Sequence, residues 1–325
     1  MKWLAAALML TFSTTASAGI TSLVVNSSAD LPHEDINPAG ENTCQAIGNV
    51  CTLRAAIQAA NANPGPDEIT FEIDGSIGLA YGQANEDAAV GGDLDIRCST
   101  SGCTGESLTI TGDSTNLTVI EAMGLPDRAF DIVDDIVVTI RNIEVRNTNQ
   151  SIDIGDGTAI RNNGTLTLEN VTVRGSAGVV VANTTQLTVE GAISNSGTMT
   201  LNDVRVEDNT GNGINAGPGK IIATNLTASG NTVAGLRTID PDADVRLVDS
   251  TLTQNAIGFW SSLGRATIEG TLISENGTTE EGSILSGGVR NLSLLTIERC
   301  EISSKRNQFT GGGGIRNIGT LELLD

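Results

Sequence analysis

The chain has 325 residues, with 39 acidic against 18 basic side chains, for a net charge of −21, and only 2% aromatic residues. So acidic a protein is excluded from the classes that grip nucleic acid or anionic membrane through charge, and solubility in an external medium accounts for the balance. So few aromatics rule out a thick aromatic-filled globule and leave a thin aliphatic core.

In chain order, residues 1–18 read as a signal peptide. Lys2 precedes an apolar run from Trp3 to Phe12 that is too short to span a bilayer, and Ala16-Ser17-Ala18 offers a small-residue cleavage site. The sequence contains no later segment apolar and long enough for a membrane helix. The expected location is therefore secreted, extracellular or at the cell surface. Residues 19–106 form a distinct N-terminal cap region. Leu23-Val24-Val25 reads as a strand. Thr52 caps a helix over 53–61 with an apolar stripe through Leu53, Ile57 and Ala60, and Pro64-Gly65-Pro66 ends it. Ile69 to Ile73 alternates as a strand, and 78–106 is a loop-rich insertion. Five cysteines in a secreted chain suggest disulfides: Cys44 with Cys51 and Cys98 with Cys103 close short loops, although four cysteines allow three connectivities. Cys300 is left over at a core position and reads as a buried, inert thiol.

Residues 107–325 carry a degenerate repeat. Val138-Thr-Ile140-Arg-Asn142-Ile143-Glu-Val145 returns as Leu166-Thr-Leu168-Glu-Asn170-Val171-Thr-Val173, and again from Met199, Ile221, Val245, Ala266, Leu295 and Leu321. The steps of roughly 21 to 33 residues lie in the range of stacked coils. Within each copy, two short strands of alternating polarity flank a turn residue. That residue is Asn142, Asn170, Asp203, Asn225, Asp249, Gly270 or Arg299, and all but the last tolerate positive φ. A column of left-handed turns follows, stacked about 4.8 Å apart, with side-chain amides free to bond along it. A third strand begins after glycines at 157, 213, 235, 258, 287–288 and 311–314. The fold is therefore expected to be all-β: a right-handed, single-stranded parallel β-helix, a solenoid with three strands per coil. The wide step between Leu166 and Met199 leaves room for an extra strand over 185–189. The C-terminus reads as incomplete, because Leu321 to Asp325 starts a coil without finishing it. Such an uncovered end would be expected to pair with another chain.

Cys51-Thr-Leu-Arg-Ala-Ala-Ile57, followed by Ala59-Ala60-Asn61 and Asp67-Glu-Ile-Thr-Phe71, resembles the CSLREA-type motif that opens many bacterial secreted β-helix proteins of the pectate-lyase-like superfold. The phrase Gly311 to Leu321 is similar to repeats of polymorphic outer-membrane and autotransporter passenger proteins. The resemblance implies that the helix covers the apolar end of the first coil. It departs from the motif at Thr52, which still caps, and at Ala55, which removes half of a capping box. Arg54 is left to find an acidic neighbour that the sequence does not name. The resemblance implies secretion or surface display but no particular reaction, because this fold hosts lyases, hydrolases, adhesins and stalks alike.

No catalytic set is legible. The Asn-Thr-Asp, Gly-His-Gly and Arg-Ile-Lys signatures of pectin-cleaving hydrolases are absent, Asp134-Asp135 lacks the flanking residues of their carboxylate motif, and His33 lies in the cap region. Calcium is a possible ligand at Asp240, Asp242 and Asp244, whose alternating carboxylates could converge. Asp93-Leu94-Asp95 offers fewer groups, and exposed turns explain both stretches as well. No other cofactor is expected. The outward residues of the third strands are Arg161, Ser194, Asn215, Arg237, Trp260, Arg290 and Arg316. Arg237, Trp260, Arg290 and Arg316 would make a platform for a polysaccharide or cell-surface glycan, above all an anionic one. A solvated strand face is the alternative. The row Thr139, Thr167, Thr200, Thr267, Thr296 is broken by Ile222 and Arg246, so β-propensity explains it better than a flat binding face. Adhesion, display or glycan contact without catalysis is the leading expectation. A carbohydrate-active enzyme and an inert stalk are the alternatives.

Overall fold

The computed structural model describes residues 20–34, 43–82, 89–99, 103–123, 125, 127–133, 135–146, 148, 157–177, 180–182, 187–277, 287–303 and 313–325. The expected signal peptide at 1–18, Asp134 and the glycines at 311–312 lie outside these residues.

Among them, three parallel sheets stack the chain into a right-handed β-helix. The first sheet has eleven strands, from Thr21–Val25 and Pro66–Phe71 to Leu294–Glu298 and Thr320–Leu324. The second has nine, from Ser76–Gly78 to Glu301–Ser303. The third also has nine, from Leu94–Ile96 to Ile315–Asn317. The chain visits the three sheets in a fixed order, so each strand inside a sheet lies between its counterparts one coil before and one coil after. The register keeps equivalent residues in columns: Val138, Leu166, Met199 and Ile221 are consecutive partners, as are Ile140, Leu168, Leu201 and Ala223. Alternation then sends each apolar column inward. Leu166, Leu168, Met199 and Leu201 are fully buried, whereas Thr167 and Thr200 between them face out.

The sheets begin earlier than the repeat suggests. Pro66–Phe71, Ser76–Gly78 and Leu94–Ile96 make a full coil inside the 19–106 segment, and Thr21–Val25 adds a strand to its first sheet. Loops between those strands break the spacing that marks later coils. The extra strand of the wide step is half of an antiparallel hairpin, Val180–Ala182 with Leu187–Val189.

The helix Leu53–Ala62 closes the first coil. Thr52 Oγ1 accepts from the Ala55 N–H at 3.1 Å. Leu53, Ala56 and Ile57 are buried in one cluster with Leu23, Val25, Ile69 and Leu94. Arg54 is fully buried and finds its acid in Asp30: Nε donates to Oδ1 at 2.7 Å and Nη2 to Oδ2 at 3.3 Å. Its remaining donors reach the carbonyls of Ala89, Gly92 and Asp93. Both proposed disulfides are present, Cys44–Cys51 and Cys98–Cys103. Cys300 is half-buried rather than buried, and burial pushes its thiol above the usual range, as an unreactive cysteine requires. Among the described residues no helix is long and apolar enough to cross a membrane.

The turn column is left-handed throughout: Asn142, Asn170, Asp203, Asn225, Asp249, Gly270 and Arg299 have φ between 46° and 57°. Arg299 joins it despite its side chain. Amide bonding along the column occurs only in places, from Asn170 to Asn142 at 3.0 Å and from Asn225 to Asp203 at 3.1 Å.

A second left-handed column follows the second-sheet strands, at Gly175, Asp208, Gly230, Gln254 and Glu275. The next residue in each coil turns inward: Ser176, Asn209, Asn231, Asn255 and Asn276, all at most 1% exposed. Asn209 donates to Asn231 at 2.9 Å, Asn231 to Asn255 at 3.0 Å and Asn255 to Asn276 at 3.2 Å. This buried ladder explains the glycines before the third strands. A Cβ on Gly235 would lie 2.8 Å from the Gly258 carbonyl and 3.0 Å from Asn255 Nδ2.

Candidate functional site

The three sheets differ on their outer faces. In the first sheet, strands such as Thr198–Asn202 alternate buried with more exposed residues, as expected for one covered face. In the third sheet, Gly191–Asn195, Asn212–Ala216 and Ile257–Ser261 are buried at every position. Polar residues on the outer face of those strands, Ser194 and Asn215 among them, are withdrawn from solvent.

Register places one outer column along this sheet. Arg161 pairs with Ser194, Ser194 with Asn215, Asn215 with Arg237, Arg237 with Trp260, Trp260 with Arg290, and Arg290 with Arg316. The four expected platform residues are thus brought together on four successive coils. The column also extends in the other direction, where Arg161 pairs with Asp131 and Asp131 with Asp95. The pattern was present in sequence, since Leu94-Asp95-Ile96 and Phe130-Asp131-Ile132 have the same form as Ile160-Arg161-Asn162. The long loops between the strands of the first coil, within 66–96, break the spacing that would reveal it.

At the basic end the structure corrects the picture of an exposed ring. Trp260 is only 5% exposed, packed with Val233, Ala234 and Ile257 in a small cluster outside the main core. Guanidinium groups stack against it: Arg237 Cζ lies 4.0 Å and Arg290 Cζ 4.6 Å from the ring centroid. The ring cannot then serve as an open stacking surface for a sugar. It instead holds arginines in place through cation–π contact and packing. Arg237 Nε is further fixed by Ser262 Oγ at 3.0 Å. Arg290 is different. Its Nε and Nη1, like Trp260 Nε1, are buried without a hydrogen-bond acceptor among the described residues. Desolvation, with Arg316 beside it, lowers the Arg290 pKa below the usual arginine value. Elsewhere arginines pair with carboxylates of adjacent coils, as Arg141 does with Glu169 at 2.6 Å and Arg265 with Asp244 at 2.7 Å. Arg290 and Arg316 have no carboxylate partner of this kind among the described residues. Two cations thus adjoin each other, the buried Arg290 with unfilled donors and Arg316 exposed beside it.

At the acidic end Asp93, Asp95 and Asp131 are each at most 1% exposed. Arg128 Nη1 reaches Asp131 Oδ2 at 2.8 Å and Asp93 Oδ2 at 3.4 Å, and Arg161 also pairs with Asp131. Asp95 Oδ2 accepts from the Ala89 N–H at 2.8 Å. Burial, reinforced by Asp95, Asp127 and Asp131 against the opposing Arg128, pushes the Asp93 carboxyl up to about 9.

The Asp240, Asp242 and Asp244 carboxylates are not brought together. Asp240 Oδ1 caps the Asp242 N–H at 2.9 Å in a tight turn, and Arg265 holds Asp244, lowering its pKa. Among the described residues the one grouping of three potential metal ligands is Asp93, Asp95 and Asp131. His33 sits in the cap with its Nε2 3.1 Å from the Thr43 carbonyl, far in the fold from the column's basic end.

No protein-family model matches the chain, and no curated protein sequence matches it. Among solved structures, the crystal structure of pectate lyase Pel9A is similar, with 14% sequence identity and a TM-score of 0.48, covering 96% of this chain and 80% of that one. The class of protein is defined by the sheet register: a parallel β-helix with one helix closing its first coil and a polar column on its third sheet.

Proposed function

We propose that this is a secreted β-helix protein that binds an anionic polysaccharide along the outer column of its third sheet, without cleaving it. The observation that carries this reading is the Arg290–Arg316 step, where cations without carboxylate partners among the described residues adjoin each other in a chain with twice as many acids as bases. Such a pair is unfavourable unless an anion neutralises it, and carboxylate or sulfate groups along a polymer supply one acceptor after another. Arg237, pinned by Trp260 and Ser262, extends the row. Two disulfides fit an oxidising, extracellular setting.

The alternative, a carbohydrate-active enzyme, draws on the carboxyls at the acidic end. It is disfavoured by their burial and by the arginines that already neutralise Asp131. A general acid must reach substrate, and these groups are shielded from it.

A polysaccharide array with uronate-bearing, sulfated and neutral polymers tests the proposal. Selective, salt-sensitive retention of the anionic polymers is expected. Arg290→Gln with Arg316→Gln should weaken it at least ~10-fold, because two charge-assisted contacts are lost. Equal retention of neutral polymers, or no effect of the double substitution, would overturn it. Release of shortened chains or new reducing ends would select the enzyme instead.

A further inference from the structure

The acidic end of the column is a separate matter from glycan contact. Asp93 flanks and Asp95 lies in the third-sheet strand Leu94–Ile96. Asp131 sits directly beside Asp95 on the next coil. One carboxylate oxygen from each of Asp93, Asp95 and Asp131 lies within 4.8 Å of the other two. Asp93 Oδ1 is buried with no hydrogen-bond partner among the described residues. Asp127, 1% exposed, is 4.0 Å from the same Arg128 that contacts Asp93 and Asp131. Fully ionised, these four carboxyls would outnumber by two the guanidiniums that contact them among the described residues, those of Arg128 and Arg161. Arg54 does not correct the balance. It touches the Asp93 carbonyl, but its charge is matched by Asp30.

We propose that Asp93, Asp95 and Asp131 hold one divalent cation, calcium, between the first and second coils. The donors are all hard oxygens, with no histidine or cysteine among them, which selects against zinc and copper. A buried, carboxylate-rich position also disfavours magnesium, which keeps several of its waters. Bound there, the ion supplies the missing charge and joins neighbouring coils next to the loop that Arg54 holds against the helix. Its role is to brace the N-terminal end of the solenoid. It does not depend on any ligand of the basic end.

The test uses the whole protein, stripped with a chelator and titrated with calcium by calorimetry in the presence of magnesium, with thermal unfolding followed in parallel. One equivalent of calcium and a calcium-dependent rise in Tm are expected. Asp93→Asn and Asp95→Asn, each close in shape to the original, should weaken binding at least ~10-fold, as the loss of a charged ligand implies. Asp242→Asn should leave it unchanged. Asp93→Asn serves alone if Asp95→Asn fails to fold. A native chain that takes up no calcium and shows no rise in Tm overturns the proposal. So does an equivalent that survives both cluster substitutions or disappears with Asp242→Asn.

Discussion

Arg54 shows how one side chain can fix a cap. All five of its N–H donors are used, on Asp30 and on three carbonyls, while Asp30 Oδ2 also accepts from the Ala80 and Tyr81 N–H groups at 2.8 and 2.7 Å. A buried pair of this kind adds little over an apolar replacement of the whole, but removing one half strands the other. Arg54→Ala should cost about 3–5 kcal/mol, read as a lowered urea midpoint. Asp67 makes the opposite case. It is 6% exposed and occupies a core-facing position beside Leu108. Burial pushes its carboxyl up to about 7, aided by Glu106 and opposed by a hydrogen bond with Thr21. Below about pH 4 the unfolded carboxyl is neutral too, and nothing is lost. As pH rises towards 7 the unfolded chain ionises first, so stability falls; above 7 the penalty is constant. Asp67→Asn should therefore stabilise the protein at pH 8.5, by ~4 kcal/mol at most, and leave it nearly unchanged at pH 4. Urea titrations at the two pH values would show this, and an equal effect at both would rule it out.

At the scale of the element, the two left-handed columns do different work. The outer one is exposed, and its side chains bond only in places. The inner one turns asparagines into the core, where each amide is enclosed by the coils on either side. Asn231 donates to Asn255 and to the Val206 carbonyl at 3.0 Å each, and accepts from Asn209. Replacing it with Ala strands buried donors and acceptors on both neighbours, so a loss of ~2–4 kcal/mol is expected. Asn170→Ala, on the exposed column, should cost ~1–2 kcal/mol, chiefly because Ala resists positive φ. Similar losses at the two positions, measured by the same denaturation, would contradict the distinction. The sequence displayed the outer column because its turn residues sit inside the repeated phrase. It concealed the inner one because the positions ahead of the asparagines vary: Gly175, Asp208, Gly230, Gln254, Glu275. Nothing local marks an asparagine as buried when a glycine in the following strand makes the space.

For the whole molecule, the repeat carried most of the architecture, three strands per coil and the inward apolar columns, while the helix as a lid followed from the resemblance of its motif. The repeat carried the order of Arg237, Trp260, Arg290 and Arg316 as well, because a residue's place after each third-strand apolar position is a matter of counting. Two things could not be counted. The first coil is spread over 66–96 by its loops, so the repeat spacing does not align Asp95 with Asp131. The burial of Trp260 depends on what packs over the third sheet, which no periodicity encodes. A solenoid has mainly neighbour-to-neighbour contacts, so damage at either end should remain local. Hydrogen exchange on Asp93→Asn should therefore quicken in the first two coils and leave strands after Thr198–Asn202 protected. Uniform loss of protection would indicate a single cooperative unit.

The column's register has a consequence for how such a protein can change over generations. From Asp131 to Arg237 the path runs through Arg161, Ser194 and Asn215, one residue per coil. Each step is a fixed rung of about 4.8 Å. Duplicating or deleting the coil that bears Ser194 or Asn215 would move the two charged ends apart or together by one rung, while every contact within each end stayed as it was. The spacing between them is thus a heritable length, adjustable in whole units by gain or loss of repeats, in a way that point substitution at either end could not achieve.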